Sequence, residues 1–445
     1  MRTEDVLSGG VVKKIGLGLI GFGTVGAGVV EGLQKHADLI ADRTGVELVL
    51  RRIADLDLEK DRGVTVDRAI LTRDADAVIR DPEIDIVIEL IGGIKAAREV
   101  ITKALSLGKP VVTANKALLA EHGAEIFELA AKNNTELGFE ASVGGGIPII
   151  QALRQGLVAN RIESMHGILN GTCNYILTRM ERERLPFDQV LREAQAAGYA
   201  EANPSLDIDG HDTAHKAVVL ASLAYGFQVP LKSVYVEGIR NVAAADIEYA
   251  VNLGYRIKLL AVVKDVDGEI EIRVQPTMVP MDHLLASVSG VFNAIFVEGD
   301  VVGQALFYGR GAGRLPTASA VISDLTQVAR NLANGVKAPL PVLYGRGRYS
   351  RIRKIGAIEA RYYLRVSLLD RPGVLGHIAS VLGKHGVSIA SVLQKEVRAG
   401  EYVPVIIVTH LAKEREFEAA IREIDAMAEV GAPTVRLRIE DLKAS

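Results

Sequence analysis

The stretch that decides the fold is KIGLGLIGFGTVG, residues 14–26. A short apolar strand ends at Gly21, and Gly21, Gly23 and Gly26 match the G-x-G-x-x-G spacing of dinucleotide-binding folds. The first glycine permits a tight turn, the second lets the backbone approach a pyrophosphate, and the third lets helix and strand pack closely. A purely structural Gly-rich turn is the alternative. The position of the motif between a strand and a helix favours dinucleotide binding.

Strands and helices keep alternating after this motif, which predicts a parallel sheet with helices on both faces. The next predicted strands are ELVLRRIAD (47–55), IDIVIEL (84–90) and KPVVTANK (109–116). Ligands of such sheets gather beyond the carboxyl ends of the strands. Lys116 follows one of these ends, so it is placed near the nicotinamide end of a bound dinucleotide. A water-exposed lysine at a helix N-terminus is the alternative.

The choice between NAD and NADP stays open at the second strand. Asp55 ends that strand and could bind a ribose hydroxyl, which favours NAD. It lies 29 residues past Gly26, however, and the usual separation is roughly 20. Arg51 and Arg52 are close enough in sequence to bind the 2′-phosphate of NADP instead.

The glycine run in TELGFEASVGGGIPII, residues 135–150, closes the first predicted domain. A strand leads to Glu140, and the three glycines then make a tight turn. The turn could be a hinge, a second phosphate loop, or a cage of carbonyl oxygens around a monovalent cation with Glu140 supplying charge. From the residues alone, the hinge is favoured.

The densest cluster of charged residues is GYAEANPSLDIDGHDTAHK, residues 198–216. Turn formers predict a loop in its first half, and a helix is predicted from Asp212 to Gly226. Asp212 and Lys216 are four residues apart, so they should meet on one helix face. Such a pair can hold an amino-bearing substrate and give it a proton. The alternative is an ordinary surface ion pair beside a solvated acidic loop, which the residues alone slightly favour because such pairs are common and individually weak.

Further along, the middle of the chain predicts a mixed sheet. A strand in 161–180 precedes Asn170-Gly171-Thr172, a turn with a capping hydroxyl before a helix, and alternating runs at 269–279 and 293–309 predict antiparallel strands. GRGAGRLPT, residues 309–317, is predicted to be a Gly/Arg loop before a helix. That loop could fold onto the cofactor or be only a connector. His211 and His215 have zinc-like spacing but no evident third ligand, so we interpret them as structural.

Residues 336–358 are rich in Pro, Gly and Arg and predict a linker. Beyond it the pattern restarts as β-α-β-β-α-β, the split βαβ arrangement, without an acid–base cluster. The predicted domains are therefore 1–145 for dinucleotide binding, 146–335 for substrate binding and dimerisation, and 359–445 as a separate small module for ligand binding or subunit pairing. The helix at 317–335 is expected to be able to pack back on the first domain.

Composition narrows the possible functions. A net charge of −3 without a basic cluster argues against nucleic acid as the main partner. One cysteine, Cys173, fits a reducing cytosol. The N-terminal MRTEDVLSGG lacks the apolar core of a signal peptide, and no apolar run reaches the ~18 residues of a membrane span. We expect a soluble, cytoplasmic protein.

Seven motifs, in order, carry a resemblance that covers nearly the whole chain. They are GFGTVG (21–26), VVTANKALL (111–119), GGGIP (144–148), GILNGTCNYIL (167–177), AEANPSLDIDGHDTAHK (200–216), GRGAGRLPTASAV (309–321) and DRPGVL (370–375). Together they resemble homoserine dehydrogenases of the monofunctional type with a C-terminal ACT domain. Cys173 is a small departure, because the family often has a hydroxylated residue there. The resemblance implies an α/β fold: an N-terminal Rossmann-type domain, a central α+β mixed-sheet domain and a C-terminal ferredoxin-like ACT domain.

The resemblance also implies an activity, the NAD(P)-dependent interconversion of L-homoserine and L-aspartate 4-semialdehyde in threonine, methionine and isoleucine biosynthesis. It makes Lys216 the proton donor and places Lys116, the second candidate catalytic residue, beside cofactor and substrate. The implied substrate-binding residues are Glu201, Asp212, Asp207, Tyr199, Gly171 and Thr172. The implied cofactor-binding residues are Gly21, Gly23, Thr24, Val25, Gly26, Lys116, Gly198 and Gly313. The implied sodium ligands are Glu140 and the carbonyls of Val143, Gly145 and Ile147, which replaces the hinge interpretation.

Further implications are a homodimer or homotetramer and feedback control by L-threonine bound near residues 370–375. The C-terminal domain could instead serve only for subunit pairing.

Two other functions are weighed against the dehydrogenase. One is another NAD(P)-dependent amino-acid or oxo-acid dehydrogenase on the same plan, and the other is a non-catalytic metabolite sensor. The set of Lys116, Glu201, Asp212 and Lys216 argues against the sensor, because a sensor needs no proton donor.

Overall fold

A computed structural model describes residues 13–336, 349–395 and 400–442. The acidic N-terminal stretch, positions 337–348 of the predicted linker and positions 396–399 before Gly400 lie outside the described residues. Within the described ranges, no helix is both long and apolar enough to cross a membrane. The chain divides into two compact units. The first takes the described residues of Met1–Arg161, Val218–Leu231 and Phe307–Gly347, and the second those of Ile162–Ala217, Lys232–Leu306 and Arg348–Ser445.

The strands and helices are numbered in chain order. The strands are β1 (Lys13–Ile20), β2 (Val46–Ala54), β3 (Leu71–Thr72), β4 (Ile86–Glu89), β5 (Val111–Thr113), β6 (Leu137–Gly138), β7 (Ile162–Ile168), β8 (Tyr235–Val236), β9 (Tyr255–Val266), β10 (Glu269–Pro280), β11 (Phe292–Gly299), β12 (Gly303–Arg310), β13 (Glu359–Leu369), β14 (Ile389–Gln394), β15 (Tyr402–Thr409), β16 (Ala412–Lys413) and β17 (Val435–Ile439). The helices are α1 (Thr24–Lys35), α2 (Ala37–Thr44), α3 (Ala75–Arg80), α4 (Lys95–Ser106), α5 (Lys116–Lys132), α6 (Ile149–Gln151), α7 (Gly171–Glu183), α8 (Phe187–Ala196), α9 (Ser205–Ile208), α10 (His211–Tyr225), α11 (Ala244–Asn252), α12 (Leu284–Ser287), α13 (Arg314–Ala333), α14 (Val374–Lys384) and α15 (Glu414–Asp425).

The first unit is built on a parallel sheet of six strands in the order β3-β2-β1-β4-β5-β6. The strand order reverses between β1 and β4, which is where doubly wound folds bind their ligands. β1 is buried from Ile15 to Ile20 and β4 along its whole length, because helices cover both faces. The predicted Rossmann-type domain is confirmed.

Helix α13 belongs to the core of this first unit. Its residues Val321, Leu325 and Val328 are buried with the apolar residues of β1 and α1. The approach to α1 is close: a Cβ at Gly28 would lie 2.6 Å from the carbonyl oxygen of Arg314. A glycine is therefore required where the two helices touch.

The second unit is organised around a mixed sheet in the order β12-β11-β7-β9-β10-β17-β13-β15-β14. β9 and β10 pair antiparallel over their full length, and β7 pairs antiparallel with β9 and β11. The predicted mixed-sheet central domain is confirmed. The last strand, β17, runs parallel to β10 on one side and antiparallel to β13 on the other. The sheet therefore continues from the central strands into the C-terminal ones.

The C-terminal strands have the order β17-β13-β15-β14, with α14 and α15 between them in sequence. This is the split βαβ arrangement that the pattern predicted. Its core is separate from that of the central strands and includes Tyr362, which stacks on Phe417 with ring centroids 3.6 Å apart. The boundaries drawn at 145, 335 and 358 stay predictions.

Three local predictions are corrected. Helix α13 begins at Arg314 rather than at 317, because Pro316 sits in its first turn, where a missing N–H costs nothing. The helix after β7 is capped by Asn170, whose side chain accepts from Cys173 N, and not by a hydroxyl. The loop before α10 contains the one-turn helix α9.

Candidate active site

The glycine motif forms the turn between β1 and α1. Gly21 has φ +99°, and a Cβ there would lie 2.5 Å from the Leu90 carbonyl oxygen. A Cβ at Gly26 would lie 2.3 Å from the oxygen of Gly21. At Gly23, a Cβ would meet no atom within 4 Å, so the N-terminus of α1, which begins with Thr24 and Val25, opens onto free space. This is the geometry that a pyrophosphate group needs at a helix N-terminus.

A cavity of about 690 Å³ adjoins this turn. Its lining includes Gly21, Gly23, Asp55, Arg73 and Lys103. The Asp55 carboxylate accepts from Phe22 N at 2.6 Å. The cavity therefore lies at the carboxyl ends of β1 and β2 and carries both a carboxylate and basic side chains, so its lining suits a ribose and phosphates.

Two arginines beside this cavity were missed from the sequence. Arg62 pairs with Asp55 at 3.0 Å, and its guanidinium lies 5.0 Å from the centroid of the Phe22 ring. Arg73 lines the cavity and donates to the Leu56 carbonyl at 3.3 Å. Arg62 and Arg73 follow the end of β2 by 8 and 19 residues, and only the fold shows that both side chains lie close to that strand end. The arginines considered from the sequence lie instead within β2, where Arg52 pairs with Asp81.

Lys116 begins α5, directly after the carboxyl end of β5, and it is half-buried. Asn115 caps the helix by accepting from Leu118 N at 3.0 Å. On neighbouring β4, Glu89 is fully buried and accepts from Thr113 Oγ1 at 2.7 Å and from Ile91 N at 2.8 Å. Burial raises the pKa of Glu89 above its usual value. A contribution of Glu89 to the site was not predicted, because the apolar sequence of its strand indicates only a buried core strand.

The glycine run after Glu140 makes a left-handed turn, with φ +76° at Gly144 and +57° at Gly145. The Glu140 carboxylate is 1% exposed and accepts from Ile150 N at 2.8 Å and from Gln151 N at 2.7 Å. Burial raises the pKa of Glu140, although these two backbone bonds oppose the rise. The carboxylate therefore already has two donors.

In the second unit, Asp212 and Lys216 meet on one face of α10, as their spacing predicts. Lys216 Nζ donates to Asp212 Oδ2 at 2.6 Å and to the Leu169 carbonyl at 2.7 Å. Asp212 is 4% exposed and Lys216 is 9% exposed, so this is a buried pair rather than a surface one. A buried ion pair costs desolvation energy and contributes little net stability, so its occurrence here suggests a chemical purpose.

Asn170 links this pair to the acidic loop, and its role was not predicted. Its Nδ2 donates to Asp212 Oδ2 at 2.9 Å and to Asp207 Oδ1 at 2.7 Å, while its Oδ1 caps α7. One buried amide thus fixes two carboxylates and a helix start. The only available signal was its place directly before Gly171-Thr172.

The other predicted substrate residues surround this group. Gly171 begins α7, where a Cβ would lie 2.8 Å from the Val291 carbonyl oxygen. Thr172 Oγ1 donates to the Tyr199 carbonyl at 2.8 Å, and the Tyr199 ring is about half exposed. Glu201 is exposed on the loop after α8.

The remaining residues considered from the sequence, Gly198, Gly313, Asp209 and His211, lie as follows. Gly198 ends the α8 region with φ +77° in the second unit. Gly313 caps α13 with φ +123° in the first unit. Asp209 pairs with Arg240. His211 begins α10. Among the described residues, no group of three or more His, Cys, Asp or Glu side chains could hold a metal ion.

Comparisons with known proteins agree with this architecture. Residues 21–140 match the profile of the NAD binding domain of homoserine dehydrogenase, 148–326 that of homoserine dehydrogenase, and 362–429 that of the ACT domain. A homoserine dehydrogenase of Pseudomonas aeruginosa is 44% identical over 437 residues, which cover 97% of this chain and all of the relative. The chain belongs to the homoserine dehydrogenase family.

Solved homoserine dehydrogenases share the fold. The structure from Thiobacillus denitrificans is 44% identical and superposes with a TM-score of 0.90, covering 96% of this chain and 99% of the other. A hyperthermophilic archaeal homoserine dehydrogenase, solved in complex with NADPH, is 30% identical with a TM-score of 0.59 over 71% of this chain and 97% of its own. The predicted family, the three-part fold and the ACT domain are thereby confirmed.

Proposed function

We propose that the chain interconverts L-homoserine and L-aspartate 4-semialdehyde with NAD or NADP. The observation that carries this proposal is the buried group of Lys216, Asp212 and Asn170 in a member of the homoserine dehydrogenase family. In the reducing direction, hydride adds to the aldehyde carbon and negative charge develops on its oxygen. A positioned cation lowers that barrier, and a proton from it completes the alcohol.

The hydrogen bonds of Lys216 support its role as the proton donor. An ammonium has three N–H groups, and two of them are directed to Asp212 and to the Leu169 carbonyl. The third is left for the substrate oxygen, and the first two hold the ammonium in place. After donation the neutral amine regains a proton from solvent. In the oxidising direction it accepts the hydroxyl proton as hydride leaves the same carbon.

The acidic groups near Lys216 suit the substrate's ammonium. Asp207 is held by Asn170, and Glu201 is exposed on the adjoining loop. We propose that Glu201, Asp207 and Asp212 bind the amino end of the substrate, with Tyr199, Gly171 and Thr172 completing the pocket. We also propose that Lys116 lies beside the reacting carbon.

The residues of the first unit fit a dinucleotide, since the space at Gly23 and the cavity beside it are open. When bound, the dinucleotide supplies or accepts the hydride. We propose that Gly21, Gly23, Thr24, Val25 and Gly26 hold its pyrophosphate, with Lys116, Gly198 and Gly313 contributing further contacts. Asp55 and Arg73 both line the cavity, so it offers a carboxylate for the ribose hydroxyls of NAD and a guanidinium for the 2′-phosphate of NADP.

Replacing Lys216 tests the central step. We expect Lys216→Ala to lower kcat by about 10²–10⁴-fold while the affinity for NADPH stays unchanged. Lys232→Ala, at an exposed position of the same unit, is the matched control and should keep wild-type turnover. Normal turnover in Lys216→Ala would remove this lysine from the mechanism. NADPH binding without turnover of homoserine or other hydroxy acids in the wild type would instead indicate a sensor.

We further propose a sodium ion at the glycine run, with Glu140 and the carbonyls of Val143, Gly145 and Ile147 as ligands. The buried Glu140 carboxylate supports this, because a nearby cation would favour its ionised form. Against it, Ile147 O already accepts from Ile149 N at 2.8 Å. We expect NaCl to raise the melting temperature above that in choline chloride at equal ionic strength. Identical melting curves, or the same difference in Glu140→Gln, would exclude the site.

Regulation by L-threonine at the ACT domain is a separate proposal. Gly373, with φ +91°, caps α14 close to the predicted effector site. A chain of contacts supports coupling: Arg365 and Tyr363 on β13 bind buried Asp246 at 2.7–3.0 Å. Six residues before Asp246, Arg240 binds Asp209 in the acidic loop. Coupling additionally requires two states with different affinities for the effector.

A threonine titration tests this regulation. We expect threonine to lower the rate and raise the melting temperature of the wild type, and Arg365→Ala to keep the melting shift but lose the change in rate. If threonine changes neither quantity, the domain serves another purpose, such as subunit pairing.

We also propose that the protein is a cytoplasmic homodimer or homotetramer. Light scattering would measure the mass of the assembly.

A further inference from the structure

Two tyrosine rings pack together in the second unit, beside the candidate substrate pocket. Tyr175 lies on α7 and Tyr199 on the loop after α8, and their ring centroids are 4.6 Å apart with 39° between the ring planes. Aromatic rings at this separation stabilise one another beyond the area that they bury. The Tyr199 side chain is 48% exposed, so much of its ring receives no packing from the protein. The contact with Tyr175 therefore has a large share in fixing the orientation of the Tyr199 ring.

The backbone around Tyr199 is held by other groups. Tyr199 N donates to the Ala194 carbonyl at 2.9 Å, and the Tyr199 carbonyl accepts from Thr172 Oγ1 at 2.8 Å. Two residues further on, the Glu201 carbonyl accepts from Gln195 Nε2 at 3.0 Å. These bonds fix the path of the loop and leave the side-chain torsions of Tyr199 unrestrained. Loss of the ring contact should therefore release the Tyr199 ring without moving the loop.

Tyr175 is itself restrained by Arg179, one turn further along α7. The Arg179 guanidinium lies 5.8 Å from the centroid of the Tyr175 ring, within the range of a cation–π contact. Its Nε donates to Glu183 at 2.7 Å, and its Nη1 pairs with Glu193 on α8 at 2.7 Å. Carboxylates from two helices thus hold the arginine, and the arginine holds the ring that contacts Tyr199.

A short series of contacts joins the Tyr199 loop to the group with the proton donor. Thr172, which binds the Tyr199 carbonyl, follows Asn170 by two residues at the start of α7. Asn170 donates to Asp212 at 2.9 Å, and Asp212 accepts from Lys216 at 2.6 Å. The Tyr199 ring therefore belongs to the surroundings of the Lys216 group.

We propose that Tyr175 is a positioning residue, which holds the Tyr199 ring in the orientation in which it receives the substrate. This inference rests on the proposed function, in which Tyr199 contributes to the substrate pocket. A ring that is free to rotate must be ordered when the substrate binds, and that ordering reduces the affinity. With Tyr175 in place, the ring is ordered beforehand. The effect is on substrate binding, because the proton donor Lys216 is held by its own contacts.

A double-mutant cycle tests whether Tyr175 acts through Tyr199. We expect Tyr175→Leu to raise KM for aspartate semialdehyde about two- to tenfold, the factor that an aromatic pair is worth, while kcat stays near that of the wild type. Tyr175→Phe keeps the ring and should keep the wild-type KM. In the Tyr199→Leu background, Tyr175→Leu should cause no further rise, because the ring that it positions is already gone. Tyr255→Leu, at a half-buried tyrosine on β9 of the same unit, is the matched control and should keep the wild-type KM.

Fluorescence tests the ring contact without turnover. The chain contains no tryptophan, so Tyr199→Trp introduces a single indole at the position of interest. Adding Tyr175→Leu to this variant should lower the fluorescence anisotropy of the indole and increase its quenching by acrylamide. Adding Tyr255→Leu should change neither quantity. Equal anisotropy and quenching with and without Tyr175→Leu would overturn the proposal.

The kinetic outcomes separate a positioning role from the other possibilities. Additive rises in KM in the cycle would show that Tyr175 contacts the substrate itself, and a fall in kcat at constant KM would show an effect on the chemical step; either result overturns the proposal. If Tyr175→Leu folds poorly, Arg179→Gln should raise KM in the wild type and not in Tyr199→Leu, and an unchanged KM in both would likewise overturn it. Absence of turnover in the wild type would instead overturn the proposed function, while the fluorescence still reports whether Tyr175 orders the ring.

Discussion

Asn170 performs two tasks that substitution can separate. Its side-chain oxygen caps α7, and its amide nitrogen holds Asp207 and Asp212. Asn170→Ser keeps a good capping oxygen but removes the amide, Asn170→Ala removes both, and Asn170→Asp keeps the cap while placing a third carboxylate against the other two. The three variants therefore form a graded series at one buried position.

The expected magnitudes follow from these bonds. A lost N-cap costs about 1 kcal/mol. Each lost hydrogen bond to a carboxylate costs about 1.5–3 kcal/mol. We therefore expect Asn170→Ala to lower the free energy of unfolding by about 4 kcal/mol or more, and Asn170→Ser by about 1 kcal/mol less than that. Because Asp212 orients Lys216, we expect Asn170→Ser to lower kcat/KM about 10–100-fold.

Two assays check the series. Urea denaturation followed by far-ultraviolet circular dichroism gives stability, and NADPH absorbance with aspartate semialdehyde gives kcat/KM. Asn170→Asp should be less active than Asn170→Ser, because like charges then crowd Asp212. Wild-type kcat/KM in Asn170→Ser would refute the view that the amide positions the site. Equal stability of Asn170→Ser and Asn170→Ala would refute the capping contribution.

Three further predictions concern the first unit. Arg73→Ala should lower affinity for NADPH about tenfold with little change for NADH in fluorescence titrations, and equal losses for both would show that Arg73 does not contact the 2′-phosphate. Gly26→Ala should lower the melting temperature because its Cβ would lie 2.3 Å from Gly21 O, whereas Gly23→Ala should keep it and weaken only cofactor binding. Burial raises the pKa of Asp324 to about 8, so the folded state holds an extra proton between about pH 4 and 8 and stability falls as pH rises through that range. Asp324→Asn should reduce that fall by up to about 1.4 kcal/mol per pH unit in denaturation at several pH values, and an unchanged slope would contradict the assignment.

Much of the fold could be predicted because local signals agreed with it. The strand, glycine motif and helix at 14–36 predict the turn at Gly21, and alternation predicts the parallel sheet. The spacing of Asp212 and Lys216 predicts their contact, since four residues bring side chains together on any α-helix. These inferences need only short-range geometry.

What could not be predicted depends on contacts between residues distant in sequence. Arg73 reaches the dinucleotide cavity because β3 pairs beside β2, and no local pattern indicates that return. The bridging role of Asn170 requires two carboxylates 37 and 42 residues away in sequence. The burial of Asp212 and Lys216 could not be predicted either, because their spacing alone slightly favours an ion pair on the protein surface.

The parallel pairing of β17 with β10 has a consequence for synthesis. Met278 on β10 pairs with Ile439, whereas β8 pairs with β10 only at Arg273 and Val274, so the part of the strand edge at Met278 waits for about 160 further residues to be made. At about 5–20 residues per second, the delay on the ribosome is roughly 8–30 s. An unpaired strand edge promotes association between chains during such an interval. A nascent chain stalled before residue 435 should therefore recruit chaperones more strongly than one released after 442.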